Sequence, residues 1–115
     1  MTAPLITNLE RVLASGKDSA LLRFGLGNAY LEAGEAAIAA GHLQRAVEFN
    51  PKYSAAWKLL GKALVAANEP EAALAAYRNG VVAAHQMGDK QTLKEMQVFI
   101  RRLERTTSGL PPSGD

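Results

Sequence analysis

Displaced against itself by 34 residues, the sequence lays Leu26 on Leu60, Gly27 on Gly61, Ala29 on Ala63, Ala33 on Ala67, Glu35 on Glu69, Ala39 on Ala73 and Val47 on Val81. The same displacement pairs Leu43 with Tyr77 and Ala46 with Gly80, keeping character or small size where identity is lost. Several matches are alanine on alanine, which an alanine-rich chain supplies cheaply. The weight therefore rests on the two Leu-Gly pairs and their placement. A fixed period of this length marks stacked supersecondary units, none of which can bury its apolar face alone.

Each period carries two helical patterns. Over residues 20–33, Leu22, Leu26, Tyr30 and Ala33 share a face, and Gly34 follows as a C-terminal cap. A second helix is predicted from about Glu35 to Phe49, with Ile38, Ala39, Leu43, Ala46 and Val47 inward, stopped by Asn50 before Pro51. Trp57, Leu60, Gly61 and Leu64, then Ala73, Tyr77 and Val81, repeat the scheme. In the stretch NEPE, Asn68 can cap, Pro70 fits a first turn, and the two glutamates suit the positive end of a helix dipole.

The ends are partial. Leu5, Leu9 and Val12 precede Ala39, Leu43 and Ala46 by the same period, so residues 3–16 read as the second helix of a half repeat. Repeats follow at 20–53 and 54–87. Gly88 and Asp89 end one helix and cap another over 88–105, whose Leu93, Met96, Ile100 and Leu103 match Trp57, Leu60, Leu64 and Ala67 at an offset of 36. Residues 1–105 thus form one domain, and 106–115, TTSGLPPSGD, read as a disordered tail.

Composition agrees. At 115 residues, a single domain can bury about two thirds of its unfolded surface. Alanine outweighs β-branched residues, and only 6% of the chain is aromatic, which favours helix. The absence of cysteine excludes disulfides, thiolate metal sites and cysteine nucleophiles. Asn8, Glu10 and Arg11 interrupt the early apolar run before a secretion signal forms, and no apolar stretch is long enough to span a bilayer. The expected molecule is soluble and cytoplasmic. A net charge of +2 is too weak to argue for nucleic acid, although Lys90, Lys94, Arg101, Arg102 and Arg105 concentrate the excess near the C-terminus.

The two periods together resemble the tetratricopeptide repeat family. The second has Trp57, Leu60, Gly61, Ala73 and Tyr77, with Leu64 in place of an aromatic and His85 in place of proline. The first has Leu26, Gly27, Tyr30, Ala39 and Pro51, with Arg23 where tryptophan would stand and Leu43 where phenylalanine would. The resemblance implies an all-α fold of antiparallel helix hairpins, stacked as a short right-handed α-solenoid of about six helices. His85 suggests that the second helix of its repeat runs on by a turn. Gly27 and Gly61 are expected to face Ala39 and Ala73, so that backbones approach closely, with Trp57 filling the adjoining space.

Chemistry has little foothold. His42 and His85 lie on different helices and read as surface or helix-terminal residues, Glu69 and Glu71 are explained by the helix dipole, and Gly25 and Gly27 follow no strand. No enzyme, cofactor or metal is expected. The resemblance implies instead a concave groove lined by the first helix of each unit. Residues there that avoid the packing face are Phe24, Asn28 and Leu31, then Lys58, Lys62 and Val65, then Gln91, Lys94, Val98 and Arg101. This mixed apolar and basic surface suits an acidic or amphipathic peptide or helix of a protein partner. The family's carboxylate clamp is incomplete, because Phe24 replaces its lysine and Leu59 its second asparagine, with Asn28 alone retained.

Two functions follow. One is a non-enzymatic adaptor using the groove; the alternative is a structural assembly module that self-associates through the open end of the stack. The expected state is a monomer or weak homodimer with no membrane insertion. RNA binding by the basic last helix is disfavoured, since groove aromatics for base stacking are scarce.

Overall fold

The computed structural model describes residues 3–107, all in helices and short connections: α1 (Ala3–Ala14), α2 (Ala20–Glu32), α3 (Ala36–Phe49), α4 (Ser54–Ala66), α5 (Pro70–Met87) and α6 (Lys90–Thr107). Consecutive helices pack pairwise into an elongated stack measuring 46 × 29 × 21 Å. Thr106 and Thr107, expected in the tail, belong to α6; the rest of the expected tail lies outside the described residues.

Helix ends follow local chemistry. Ser19 caps α2, its hydroxyl accepting from the Leu22 amide at 3.1 Å. The first helix of each repeat ends in the same way, with a left-handed residue at Gly34 (φ +81°) or Asn68 (φ +63°). There the Glu35 amide reaches the Tyr30 carbonyl at 2.9 Å, and the Glu69 amide the Leu64 carbonyl at 2.8 Å. Asn68 is therefore a terminator of α4 and not the N-cap expected for α5. That place falls to Glu69, which makes no side-chain cap, while Pro70 occupies the first turn. Helix α5 has 18 residues against 14 in α3, and so continues past His85 to a left-handed Gly88. Asp89 then opens α6, accepting from the Thr92 amide at 3.2 Å and the Ser54 hydroxyl at 3.0 Å.

The glycines of the repeat work differently from the sequence expectation. A Cβ on Gly27 would strike the Leu43 side chain, and one on Gly61 the Tyr77 ring. The close partners are large side chains laid across the glycine, not the facing alanines. Ala39 and Ala73 are fully buried nearby. The period is still decisive, because Leu43 and Tyr77 are 34 residues apart. Gly80 is a third such position: its missing Cβ would lie 2.5 Å from Met96 Sδ and 2.7 Å from Trp57 Cβ. Half-buried Trp57 also donates from Nε1 to the Pro51 carbonyl at 2.8 Å, tying α4 to the connection before it.

Three expected inward residues differ. Ile38 is 46% exposed, because the buried stripe of α3 runs through Ala39, Ala40, Leu43, Ala46 and Val47, and Ile38 lies one residue, about 100°, to its side. On α1, Leu5 and Val12 are exposed, and the half-buried face is instead Ile6, Leu9, Glu10 and Leu13. Among the described residues α1 packs on α2 alone, so only one of its faces is covered.

Candidate functional site

The site is built on the facing sides of α4 and α6. Lys58, Lys62 and Val65 occupy successive turns of α4, and Glu95, Phe99 and Arg102 successive turns of α6. At the first turn, Lys58 Nζ lies 2.9 Å from Glu95 Oε1, an ion pair that ties the helices and neutralises Lys58. At the second, Lys62 Nζ lies 5.6 Å from the centre of the Phe99 ring. Beside this pair lies an open cleft of about 240 Å³, lined by Lys62, Val65, Tyr77, Phe99, Arg102 and Leu103.

Its walls are apolar and its rim is cationic. The Tyr77 ring, 2% exposed, sits 5.4 Å from that of Phe99. Burial pushes the Tyr77 hydroxyl up to about 12, so it stays protonated at any physiological pH and offers no nucleophile. Lys62 and Arg102 have no carboxylate partner among the described residues, whereas Arg78 is engaged with Glu104 at 2.8 Å. Among the described residues, no group of three or more His, Asp or Glu is placed to hold a metal ion, and no helix is long and apolar enough to cross a membrane.

Of the ten groove residues expected from sequence, Lys62 and Val65 meet in this cleft. Phe24 is not an open anchor: it is half-buried and stacked on Tyr53, with centroids 5.0 Å apart and planes 27° apart. Asn28 is exposed and donates to Glu32 at 3.3 Å, and Leu31 is half-buried against the main core. Gln91, Lys94 and Arg101 are exposed and Val98 half-buried, but none of the four lines the cleft.

Equivalent positions are not the positions that touch. The core keeps the offset of 36, with Met96 buried as Leu60 is, whereas the residues that meet across α4 and α6, Lys58–Glu95 and Lys62–Phe99, are 37 apart. One residue turns a helix face by about 100°, which replaces Lys94, Val98 and Arg101 by Glu95, Phe99 and Arg102. The legible signal was the stripe Glu95, Phe99, Arg102 itself, at spacings of four and three.

Comparison with known proteins places this geometry. The profile described as tetratricopeptide repeat matches residues 6–54 and 24–86. TPR repeat-containing protein PA0015 of Pseudomonas aeruginosa is 57% identical over 101 residues, covering 88% of this chain and 96% of that protein. The solution structure of protein BPP2914 from Bordetella parapertussis superposes with a TM-score of 0.74 at 46% identity, covering 88% of both chains. The crystal structure of the Sgt2 TPR domain from Aspergillus fumigatus gives 0.74 at 24% identity, covering 99% of this chain and 76% of that one, a likeness of fold alone. With the hairpins α2–α3 and α4–α5, α1 before them and α6 after, the chain belongs to the tetratricopeptide repeat family.

Proposed function

We propose that this protein is a non-enzymatic adaptor whose ligand seat is the α4–α6 cleft, taking a segment of a protein partner with a bulky apolar side chain beside acidic groups. Tetratricopeptide repeat domains generally mediate protein–protein contacts. The observation that carries the reading is the union of apolar walls, Val65, Tyr77, Phe99 and Leu103, with two unneutralised cations, Lys62 and Arg102. Size favours a side chain over a cofactor, because small-molecule pockets run from about 300 to 1,000 Å³ and this cleft is about 240 Å³. The cations would steer and orient an acidic segment, while the walls would supply the holding energy.

Fluorescence polarisation against a library of acidic-apolar peptides tests it. Lys62→Glu with Arg102→Glu should lower affinity at least tenfold while circular dichroism stays unchanged. Lys94→Glu with Arg101→Glu, an equal charge change outside the cleft, should matter far less. Equal losses from both pairs would mean that nonspecific charge, not the cleft, drives binding.

Self-association through the open end keeps one supporting observation: Leu5 and Val12, one face of α1 two turns apart, are 47% and 41% exposed. Light scattering across a concentration series tests it; a monomer at high concentration rejects it.

A further inference from the structure

One polar group in the cleft has no use in the fold. Of the residues that line it, Tyr77 alone is buried, at 2% exposed, so its phenol forms the floor. Packing explains the ring, which lies across Gly61 and beside Phe99. It does not explain the hydroxyl. Leu43, 34 residues earlier, lies across Gly27 in the same way without a polar atom, so the core asks only for bulk at this place. A buried tyrosine hydroxyl ordinarily finds a hydrogen-bond partner. That of Tyr77 has none among the described residues. Nor is it sealed in: among the described residues, Glu10 Oε1 is the one unpartnered side-chain polar atom that solvent does not reach. The Tyr77 hydroxyl is therefore accessible, and the cleft is where it opens.

With the cleft as the ligand seat, on which this rests, we propose that the Tyr77 hydroxyl is the hydrogen-bond donor at its bottom, and that it receives the side-chain carboxylate of a glutamate in the partner segment. Burial keeps the phenol protonated, so it has a hydrogen to give. Lys62 and Arg102 line the same cleft and pair with no carboxylate among the described residues. The Lys62 ammonium and the Tyr77 ring flank one Phe99 ring, 5.6 and 5.4 Å from its centre, so charge and phenol share a small space. All three groups donate. A carboxylate brings two oxygens with about four lone-pair sites, enough to accept from each of them.

A wholly apolar side chain on the floor would strip water from the phenol and return no hydrogen bond, which is costly. The bulky apolar group of the segment therefore belongs nearer the mouth, over exposed Val65 and half-buried Leu103, and the acidic group goes deep. Glutamate suits that depth, because its methylenes can lie along Val65, Phe99 and Leu103 while the carboxylate reaches the floor. A chain-terminal carboxylate has no such stem. It would carry its own amide N–H between apolar walls, where no lining side chain but the phenol itself offers an acceptor. The seat is also separate from the incomplete clamp, since Phe24, Asn28 and Leu59 do not line the cleft.

NMR titration of the whole chain with synthetic peptides tests this, following the amide signals of Val65, Phe99 and Leu103. The probes are acetyl-Ala-Leu-Glu-Leu-Ala-amide, the same peptide with methionine in place of glutamate, and acetyl-Ala-Leu-Leu with a free terminal carboxylate. Each is run against the wild type, Tyr77→Phe, and Lys62→Glu with Arg102→Glu. Tyr77→Phe keeps the ring over Gly61 and should weaken the glutamate peptide about tenfold, the scale of a hydrogen bond to a charged group. It should not weaken the methionine peptide, whereas a merely structural role for Tyr77 would weaken both alike. An isotope label at tyrosine Cζ reads the same bond in the wild type, however the variant folds: the glutamate peptide should move the Tyr77 signal downfield, as phenol donation does, and the methionine peptide should not. Glutamate-peptide binding that is lost in Lys62→Glu with Arg102→Glu but unchanged in Tyr77→Phe, or a Tyr77 Cζ signal unmoved at saturation, would overturn the role of the hydroxyl and leave the seat standing. Equal losses of both internal peptides in Tyr77→Phe would overturn it too. A free-carboxylate peptide binding as tightly, with the same dependence on Tyr77, would overturn the assignment to glutamate. Cleft signals unmoved by every peptide would overturn the seat and the hydroxyl together.

Discussion

Lys62 and Phe99 meet across the α4–α6 interface with the ammonium 5.6 Å from the ring centre. The lysine is exposed and the phenylalanine half-buried, so the pair divides its labour: the ring is structural and the charge is presented to the cleft. Lys62→Met should change stability by less than about 1 kcal/mol, the scale of an exposed cation–π contact. Phe99→Ala should cost about 2 to 3 kcal/mol, below the 3 to 5 of a fully buried phenylalanine. Urea denaturation of the two variants checks the order, and a costlier Lys62→Met would contradict the division.

Gly61 and Gly41 should respond in opposite directions to the same substitution. Gly61→Ala forces a methyl group into the Tyr77 ring and should destabilise by about 1 to 3 kcal/mol, as overpacking does. Gly41 is exposed within α3 with nothing near its missing Cβ, so Gly41→Ala should stabilise by about 0.5 to 1 kcal/mol through helix propensity alone. Thermal melts of both proteins decide it; the same sign in both would remove the steric account of Gly61.

Asp89 gives α6 an acid-sensitive start. Its bonds from Thr92, side chain first, then the Thr92 amide, with smaller help from Ser54 and Lys58, hold its carboxyl below the ordinary carboxylate value. A depressed carboxylate contributes stability that is present above the unfolded value of 3.8 and lost as pH falls through the lower folded one. Asp89→Asn should therefore flatten the fall in stability below about pH 4, measured by denaturant titrations between pH 2 and 5. An unchanged slope would mean that other carboxylates govern it.

Much of this was legible in the residues because the period of 34 constrains both repeats at once. Leu26 and Leu60, Leu43 and Tyr77, and Ala39 and Ala73 all hold equivalent buried places. The extension of α5 past His85 was readable because a missing proline removes a physical stop. Less legible was anything set by rotation of a helix about its own axis. The core stripe of α6, Leu93, Met96, Ile100 and Leu103, follows the offset of 36, and equivalence in the core does not say which residues of α6 meet α4. That narrow strip is set by how the two helices lean on each other, so Phe99 and Arg102 were missed. Asn68 was misplaced for a related reason: asparagine suits both a helix start and a left-handed helix end, and only its equivalence to Gly34 distinguishes them.

The crowding around Gly80 gives the stack a direction. Met96 from α6 and Trp57 from α4 converge where a side chain would otherwise stand, keying the closing helix into the hairpin before it. No comparable crowding is seen where α1 meets α2 among the described residues: an added Cβ on Gly25 would meet Leu9 at an ordinary 3.7 Å. Thermal fraying should thus travel from the amino end inward, and the α4–α6 cleft, built beside the keyed end, should be the last part of the molecule to lose its shape.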